Sequence, residues 1–323
     1  MALGRPLRLV RIRERRPKPG LQPQHLTVVR ALGAVSGARI EGDALDSTAV
    51  TFVPQTLRGG RYRLDVEAIR GSAGSVSLIF QALLLPLSRA GAASRLTLLG
   101  GTHVPWSPTA DYLTQVFLSA LESIGLRAAV ELRRWGFYPA GGGEIEAVIE
   151  PGQAVRGFVP PGRLADRRIV GLSAVSRLPR AIAERQRRRA LDRLEASGLT
   201  ADIAIGEVAT ARSPGTVLFL ALPGRAGFSA LGRPGLRAEA VADLAVEPLL
   251  AYLASGAAVD THLADQLLPF LALSAEPSDF TCPALSSHLE TVAWVVEQFL
   301  PGRVRLDAGP PARVSVTPAG DSR

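Results

Sequence analysis

A single cysteine and a single lysine stand in a chain of 323 residues. Cys282 has no partner for an internal disulfide and no companions for a cysteine zinc site. Lys18, between Pro17 and Pro19, serves neither of the common lysine-based nucleotide chemistries. No G-x-x-x-x-G-K-[ST] run exists, which excludes a Walker A loop, and the H-R-D and D-F-G signatures of protein kinases are missing too. Lysine-adenylate chemistry would have to use this one proline-flanked side chain. No apolar run reaches the roughly 20 residues a membrane helix needs. The basic N-terminus is not followed by an apolar stretch with a small-residue cleavage site. The chain therefore reads as a cytoplasmic protein with no membrane partner.

What is present is an ordinary globular mixture, 47% hydrophobic and 20% charged, long enough for two domains or for one core with an insert. Lys+Arg total 37 against 29 Asp+Glu, a net charge of +8, and all but Lys18 of the basic residues are arginine. A genome rich in Arg, Ala, Gly and Pro codons would produce that bias. Guanidinium forks suited to bidentate binding of a polyanionic partner would select it equally well, and composition alone does not choose between the two.

Strand and helix patterns alternate along the chain. Strands are predicted at Leu7–Ile12, Ala38–Ile40, Ala49–Phe52, Tyr62–Val66, Arg95–Leu99, Ala128–Leu132 and Glu144–Ile149. Helices are predicted at Pro23–Val35, Ser75–Leu87 and Thr109–Ile124. Two Gly-rich strand connections, at residues 58–62 and 138–143, suggest repeated units. The stretch Phe158-Val159-Pro160-Pro161-Gly162 reads as a linker. Beyond it comes a βαββα pattern: strand Arg168–Val175, helix Ala181–Ala196, strands Asp202–Val208 and Thr216–Ala221, and a helix from Ala238 to Leu253. The arginines of its first helix, Arg185 and Arg187 to Arg189, fit a solvated face better than an RNA site. After Gly256 follow helices Thr261–Phe270 and Ser287–Phe299 and strands Val304–Asp307 and Ala312–Val316. These patterns predict an α/β (α+β) fold, with a core over 1–159 and 256–323 and a smaller α/β domain inserted at 160–255.

Four histidines are available for chemistry: His25, His103, His262 and His288. Ser287-His288-Leu289-Glu290 matches an S-x-x-E capping box, with Ser287 as N-cap and His288 in the first helical turn. The positive helix end disfavours an imidazolium there, and its free N–H groups would receive a phosphate. A neutral histidine beside an anion site is what a covalent histidine–nucleotide intermediate needs. A helix-end histidine making a surface hydrogen bond has the same pattern. His262 and Gln266 lie four apart on one predicted helix face with Asp265 beside them, and Asp260 or Thr261 would cap that helix. This could be no more than a polar face. Gln81 sits in an apolar run and must find hydrogen-bond partners, in the backbone or in a ligand. On an extended N-terminal strand, Arg11 and Arg13 would share a face, a row suited to a phosphorylated end or to an ordinary basic strand edge.

Together these segments resemble the RNA 3′-terminal phosphate cyclase family. The resemblance runs through Arg13-Glu14-Arg15-Arg16-Pro17-Lys18-Pro19-Gly20-Leu21 and Gln24-His25-Leu26-Thr27. It continues through Gly71-Ser72-Ala73-Gly74-Ser75 leading to Gln81, Gly136-Phe137-Tyr138-Pro139 with Gly141 to Gly143, and Ser213-Pro214-Gly215-Thr216. The most specific stretch is Gly256 to Asp260 with His262-Leu263-Ala264-Asp265-Gln266-Leu267-Leu268-Pro269, followed by His288 and Trp294 to Glu297.

The resemblance implies a core of repeated βαβαββ units with a small α/β insert. It also implies conversion of an RNA 3′-phosphate end to a 2′,3′-cyclic phosphate using ATP and a divalent metal, Mg2+ or Mn2+. It carries the role of adenylated nucleophile to His288, and ATP contacts to Gln81, His262, Leu263, Ala264, Asp265 and Gln266. Contacts with the RNA end or the ATP phosphates fall to Arg13 and Arg16. The family's opening glycine-rich E-G-G-G-Q strand and the helix after it are not in this sequence, so the first repeat reads as truncated and the true start codon is expected upstream. Two other readings use the same features less well: a non-catalytic cyclase-like protein acting in ribosomal RNA processing, and an enolpyruvyl transferase built from similar repeats.

Overall fold

The structure, a computed structural model, describes residues 1–69, 73–160, 168–209 and 211–318. Gly71 and Ser72 of the glycine-rich motif, and Pro161 and Gly162 of the linker, lie outside the described residues. Helices and mixed sheets combine into an α+β fold that groups into two compact units. Unit 1 is Met1–Ala110, Arg127–Gln153 and Val208–Pro214; unit 2 is Asp111–Leu126, Ala154–Glu207 and Gly215–Arg323. No helix among the described residues is long and apolar enough to cross a membrane.

Unit 1 contains two sheets. Strands β1 (Leu7–Leu9), β2 (Arg39–Glu41) and β3 (Val50–Val53) form one in the order β1-β3-β2. Helix α1 (Pro23–Ser36) starts with Pro23 in its first turn and stops at Gly37, whose φ of 57 supplies the left-handed C-cap. Leu26 of α1 packs with Ile12, Leu21, Val50 and Phe52. The second sheet joins β4 (Arg61–Asp65), β5 (Ser94–Gly100), β6 (Ala128–Arg134) and β7 (Gly143–Ile149) in the order β4-β5-β7-β6, with β4 and β5 parallel. Helix α2 (Val76–Ser88) is capped by the Ser75 hydroxyl, which accepts from Leu78 N–H, and buries Ile79, Phe80, Leu83, Leu84 and Leu87.

The N-terminal expectation is corrected here. The strand ends at Leu9, and Arg11 and Arg13 take left-handed φ values of 56 and 55. Turns closed by Glu14 N–H to Arg11 O and Arg16 N–H to Arg13 O follow, so the two arginines share no strand face.

In unit 2 a helical stretch consists of α3 (Ala110–Tyr112, from Asp111 onward in this unit), a π-helical segment (Leu113–Leu118) and α4 (Ser119–Ser123). A four-stranded sheet follows the order β11-β10-β8-β9, from β8 (Ile169–Ser176), β9 (Ala201–Val208), β10 (Gly215–Leu222) and β11 (Ala226–Leu231). The β11 strand corrects the βαββα expectation, which ran from the third strand directly into the last helix. Its small residues weaken the strand signal, and Gly227 is required: a Cβ there would come within 2.7 Å of the Tyr112 ring.

Helices α5 (Arg180–Glu195) and α6 (Ala238–Ser255) share one core with this sheet through Ala190, Leu194, Leu218, Leu220, Leu222, Val246 and Leu249. The arginines of α5 form a ladder to the acids of α6. Arg185 pairs bidentately with Glu239 at 2.8 Å, Arg189 with Asp243, and Arg193 with Asp243 and Glu247. The Arg185 hydrogen bond holds the Glu239 carboxyl down at about 2. Arg185 and Arg189 of the arginine stripe are thus engaged between helices, while Arg187 and Arg188 are exposed to solvent as expected of a solvated face.

The C-terminal part of unit 2 holds α7 (Thr261–Leu271), β12 (Ser278–Cys282), α8 (Ser287–Phe299), β13 (Val304–Asp307) and β14 (Ala312–Val316), with sheet order β12-β14-β13. The short β12, between Pro277 and Pro283, was not anticipated. The trio order first-third-second thus occurs as β1-β3-β2, β5-β7-β6 and β12-β14-β13, but among the described residues only β4 to β7 completes a six-element βαβαββ run.

Cys282 is fully buried at the end of β12, and burial is the main cause that pushes its thiol up to about 11. Thiolate is the reactive form. The native chain should therefore resist a disulfide reagent at pH 8 and react with one equivalent on denaturation. Fast reaction of the native thiol at pH 8 would contradict this burial.

Candidate active site

The site grows from one buried carboxylate. Asp260 is the N-cap of α7, its Oδ1 accepting from the N–H groups of His262 and Leu263 at 2.8 Å each. That satisfies two of the orphan donors at the helix start. Oδ2 accepts from Gly227 N–H at 3.0 Å, and the Tyr112 hydroxyl lies 3.2 Å from both oxygens. One side chain thereby ties α7 to β11 and to the helical stretch opening at Asp111. Burial raises the Asp260 carboxyl above its ordinary range against the opposing pull of these N–H donors, and burial with Asp260 nearby raises the Tyr112 hydroxyl.

Fixed in this way, α7 turns Leu263, Ala264, Leu267 and Leu268 into the core. His262 is left exposed, with Asp265 and Gln266 half-buried. The spacing-based face is present: His262 Nδ1 lies 4.0 Å from Asp265 Oδ2. Helix α8 supplies the third group. Its N-cap is Ser286, whose Oγ accepts from Leu289 N–H at 3.0 Å, so the expected cap at Ser287 is corrected by one residue. With two serines adjacent, the one holding extended backbone takes the cap, and Ser287 becomes the first helical residue. His288 stays in the first turn and is exposed. Ligand-type atoms of His262, Asp265 and His288 lie within 4.8 Å of one another.

Asp265 is pushed up to about 7, first by burial and then by the negative charge of Asp260. Near neutral pH its carboxyl can therefore either accept or donate a hydrogen bond. Asp265 Oδ2 and Gln266 Oε1 are buried without a hydrogen-bond partner among the described residues. Gln81, on α2 of unit 1, carries the same feature, its Nε2 buried and without a hydrogen-bond partner among the described residues. Buried polar atoms are rarely left so, and each costs about 1–3 kcal/mol if nothing satisfies it.

Arg13 and Arg16 are also in unit 1. The Arg13 guanidinium donates to Lys18 O at 2.6 Å and to Gly20 O, bracing the basic turn, while Arg16 is exposed. The other two histidines have structural partners. His103 is fully buried and stacked on Trp135 at 4.1 Å, and His25 Nδ1 accepts from Gln22 N–H. Sequence spacing named Asp260 as one cap option but gave no hint of Tyr112, which lies 148 residues away in the chain.

Comparison with known proteins decides the family. A family model described as RNA 3′-terminal phosphate cyclase matches residues 1–306. The chain belongs to this family. Cyclases of that name from Nostoc punctiforme and Methylococcus capsulatus are 40% and 43% identical to it over 311 residues, covering 94% of the chain and 89% and 85% of the relatives. The archaeal cyclase of Archaeoglobus fulgidus is 40% identical over 297 residues, 92% of this chain and 88% of its own. A solved EPSP synthase from Acinetobacter baumannii, at 12% identity and a TM-score of 0.27, covers 97% of this chain and 59% of its own. At that similarity it lends no weight to an enolpyruvyl-transferase reading.

In this cyclase-family chain, Asp260→Ala would strip the cap of α7 and remove the acceptor of the Gly227 N–H and of the Tyr112 hydroxyl. We expect a loss of about 3 kcal/mol or more in urea unfolding, with Asp260→Asn retaining part of it. Equal stability of Asp260→Ala and wild type would contradict the hub role.

Proposed function

We propose that the chain converts an RNA 3′-phosphate end to a 2′,3′-cyclic phosphate at the expense of ATP, with His288 as the nucleophile. The observation that carries this reading is an exposed helix-start histidine beside Asp265 on the neighbouring helix, where Asp265 Oδ2 and Gln266 Oε1 are buried with no hydrogen-bond partner among the described residues. Each of those side chains falls at a position where the family motif implies ATP contact. A nucleotide's base, ribose and phosphate groups would supply the missing partners.

In the first step an imidazole nitrogen of His288 attacks the α-phosphorus, a P–N bond forms and pyrophosphate leaves. Free N–H groups at the start of α8 would face the phosphate charge. An oxygen of the RNA 3′-phosphate then attacks the same phosphorus, breaking the P–N bond and giving RNA-(3′)pp(5′)A. Finally the neighbouring 2′-hydroxyl attacks the 3′-phosphorus, gives up its proton and releases AMP. Holding that hydroxyl next to an activated phosphate supplies most of the last step through proximity. His262, Leu263, Ala264, Asp265, Gln266 and Gln81 would hold ATP, and Arg13 and Arg16 the phosphates or the RNA end. The segment 160–255 is the inserted domain in this reading, and the protein acts in the cytoplasm.

A divalent cation, Mg2+ or Mn2+, would offset phosphate charge on the nucleotide. The donor set beside His288, two imidazoles and one carboxylate, does not suit Mg2+, which demands oxygen ligands.

The test is a 5′-labelled RNA oligomer ending in a 3′-phosphate, incubated with ATP and MgCl2 or MnCl2 and assayed for a phosphatase-resistant end. Wild type should convert it. His288→Ala should lose more than about a thousand-fold in rate while keeping the wild-type circular dichroism and melting temperature, because an exposed helix-start side chain contributes little packing. Conversion by His288→Ala at the wild-type rate would remove the nucleophile assignment. RNA binding by wild type without conversion would favour the non-catalytic reading.

A further inference from the structure

We propose that His262, Asp265 and His288 form a binding site for a transition-metal dication of the Zn2+ or Co2+ class, and that filling it blocks adenylation. The binding half stands on geometry alone; the blocking half rests on the function proposed above.

Three donors from two helices converge. His262 and Asp265 are three residues apart on α7 and share a face, and His288 comes from the first turn of α8. Their donor atoms lie within 4.8 Å of one another. Metal–ligand bonds of about 2.0–2.2 Å place donor atoms roughly 3–4 Å apart in a tetrahedral site, so small side-chain rotations close the set. The groups that must move are free to do so, since both histidines are exposed. Both helix starts are anchored, α7 by Asp260 and α8 by Ser286. Two imidazoles with one carboxylate is a borderline donor set that Zn2+ and its neighbours favour and Mg2+ does not.

The Asp265 oxygen facing His262 is buried and accepts no hydrogen bond among the described residues. A cation bound there would offset that uncompensated oxygen. The remaining coordination position would open to solvent on the side of the exposed histidines.

Occupancy and catalysis exclude each other chemically. A metal on one nitrogen of His288 uses that lone pair, and the other nitrogen of the neutral ring carries the proton. No lone pair is then left to attack phosphorus. The proposed site would stop the enzyme when free zinc rises and release it when a chelator removes the ion.

The test uses the full chain without nucleotide, titrated with Co2+ and followed by visible d–d absorption, with Zn2+ calorimetry in parallel. In a second arm, label transfer from α-labelled ATP with Mg2+ is measured with and without micromolar Zn2+. We expect a single site whose affinity falls more than about tenfold in His262→Ala, in Asp265→Asn and in His288→Ala. We also expect Zn2+ to stop labelling of wild type and a chelator to restore it. Binding absent from wild type, or unchanged in all three variants, overturns the site. Zn2+ bound with labelling undiminished overturns the competition. If ATP with Mg2+ labels nothing at all, the proposed function fails while the Co2+ spectrum still decides the metal site.

Discussion

The candidate site depends on one buried carboxylate. Asp260 receives hydrogen bonds from two N–H groups of its own helix, from Gly227 on β11 and from the Tyr112 hydroxyl. Burying it raises the cost of its charge, and four donors offset that cost. Its position also has an electrostatic consequence one helical turn away. Burial, with the charge of Asp260 added, brings the Asp265 carboxyl up to about 7. The group that orients α7 thus adds to the burial that raises a carboxyl beside His288.

Around this hub the chain places polar atoms that its own fold does not satisfy. The carbonyl oxygen of Gln186, deep in the four-stranded sheet domain, accepts from Ser173 and Thr216 hydroxyls at 3.0 and 3.1 Å, while its Nε2 has no hydrogen-bond partner among the described residues. Gln266 Oε1 and Asp265 Oδ2 have no such partners. They lie on the half-exposed face of a helix whose opposite face is core, which is where a ligand, rather than the protein, would complete the hydrogen bonding. Structure and chemistry separate at this point, since the same helix is packed on one side and chemically incomplete on the other.

Much of this was legible from residue order. Cap signals and apolar spacing located α7 and α8 to within a residue or two, and helical period put His262 and Gln266 on one face with Asp265 beside them, though the ion-pair neighbour of His262 is Asp265. The arginine ladder was readable in principle. Arg185, Arg189 and Arg193 recur every four residues, and so do Glu239, Asp243 and Glu247 on the partner helix. What could not be read depended on distant contacts or on backbone choices between near-equal options. β11 carries glycine at 227 because a side chain there would meet the Tyr112 ring, a reason invisible in the local sequence. Arg11 and Arg13 looked like alternating strand residues, yet both adopt left-handed backbone in the turns that follow Leu9. The cap fell on Ser286 instead of Ser287 because local pattern does not distinguish adjacent serines.

The most direct test of the central claim is to find where AMP becomes attached. The full chain would be incubated with α-labelled ATP and a divalent metal in the absence of RNA, denatured, and digested for peptide mapping. The account predicts one adduct, stable to base and released by mild acid, as a phosphoramidate should be, and located on His288. An adduct on another residue, or one with the opposite lability, would contradict it.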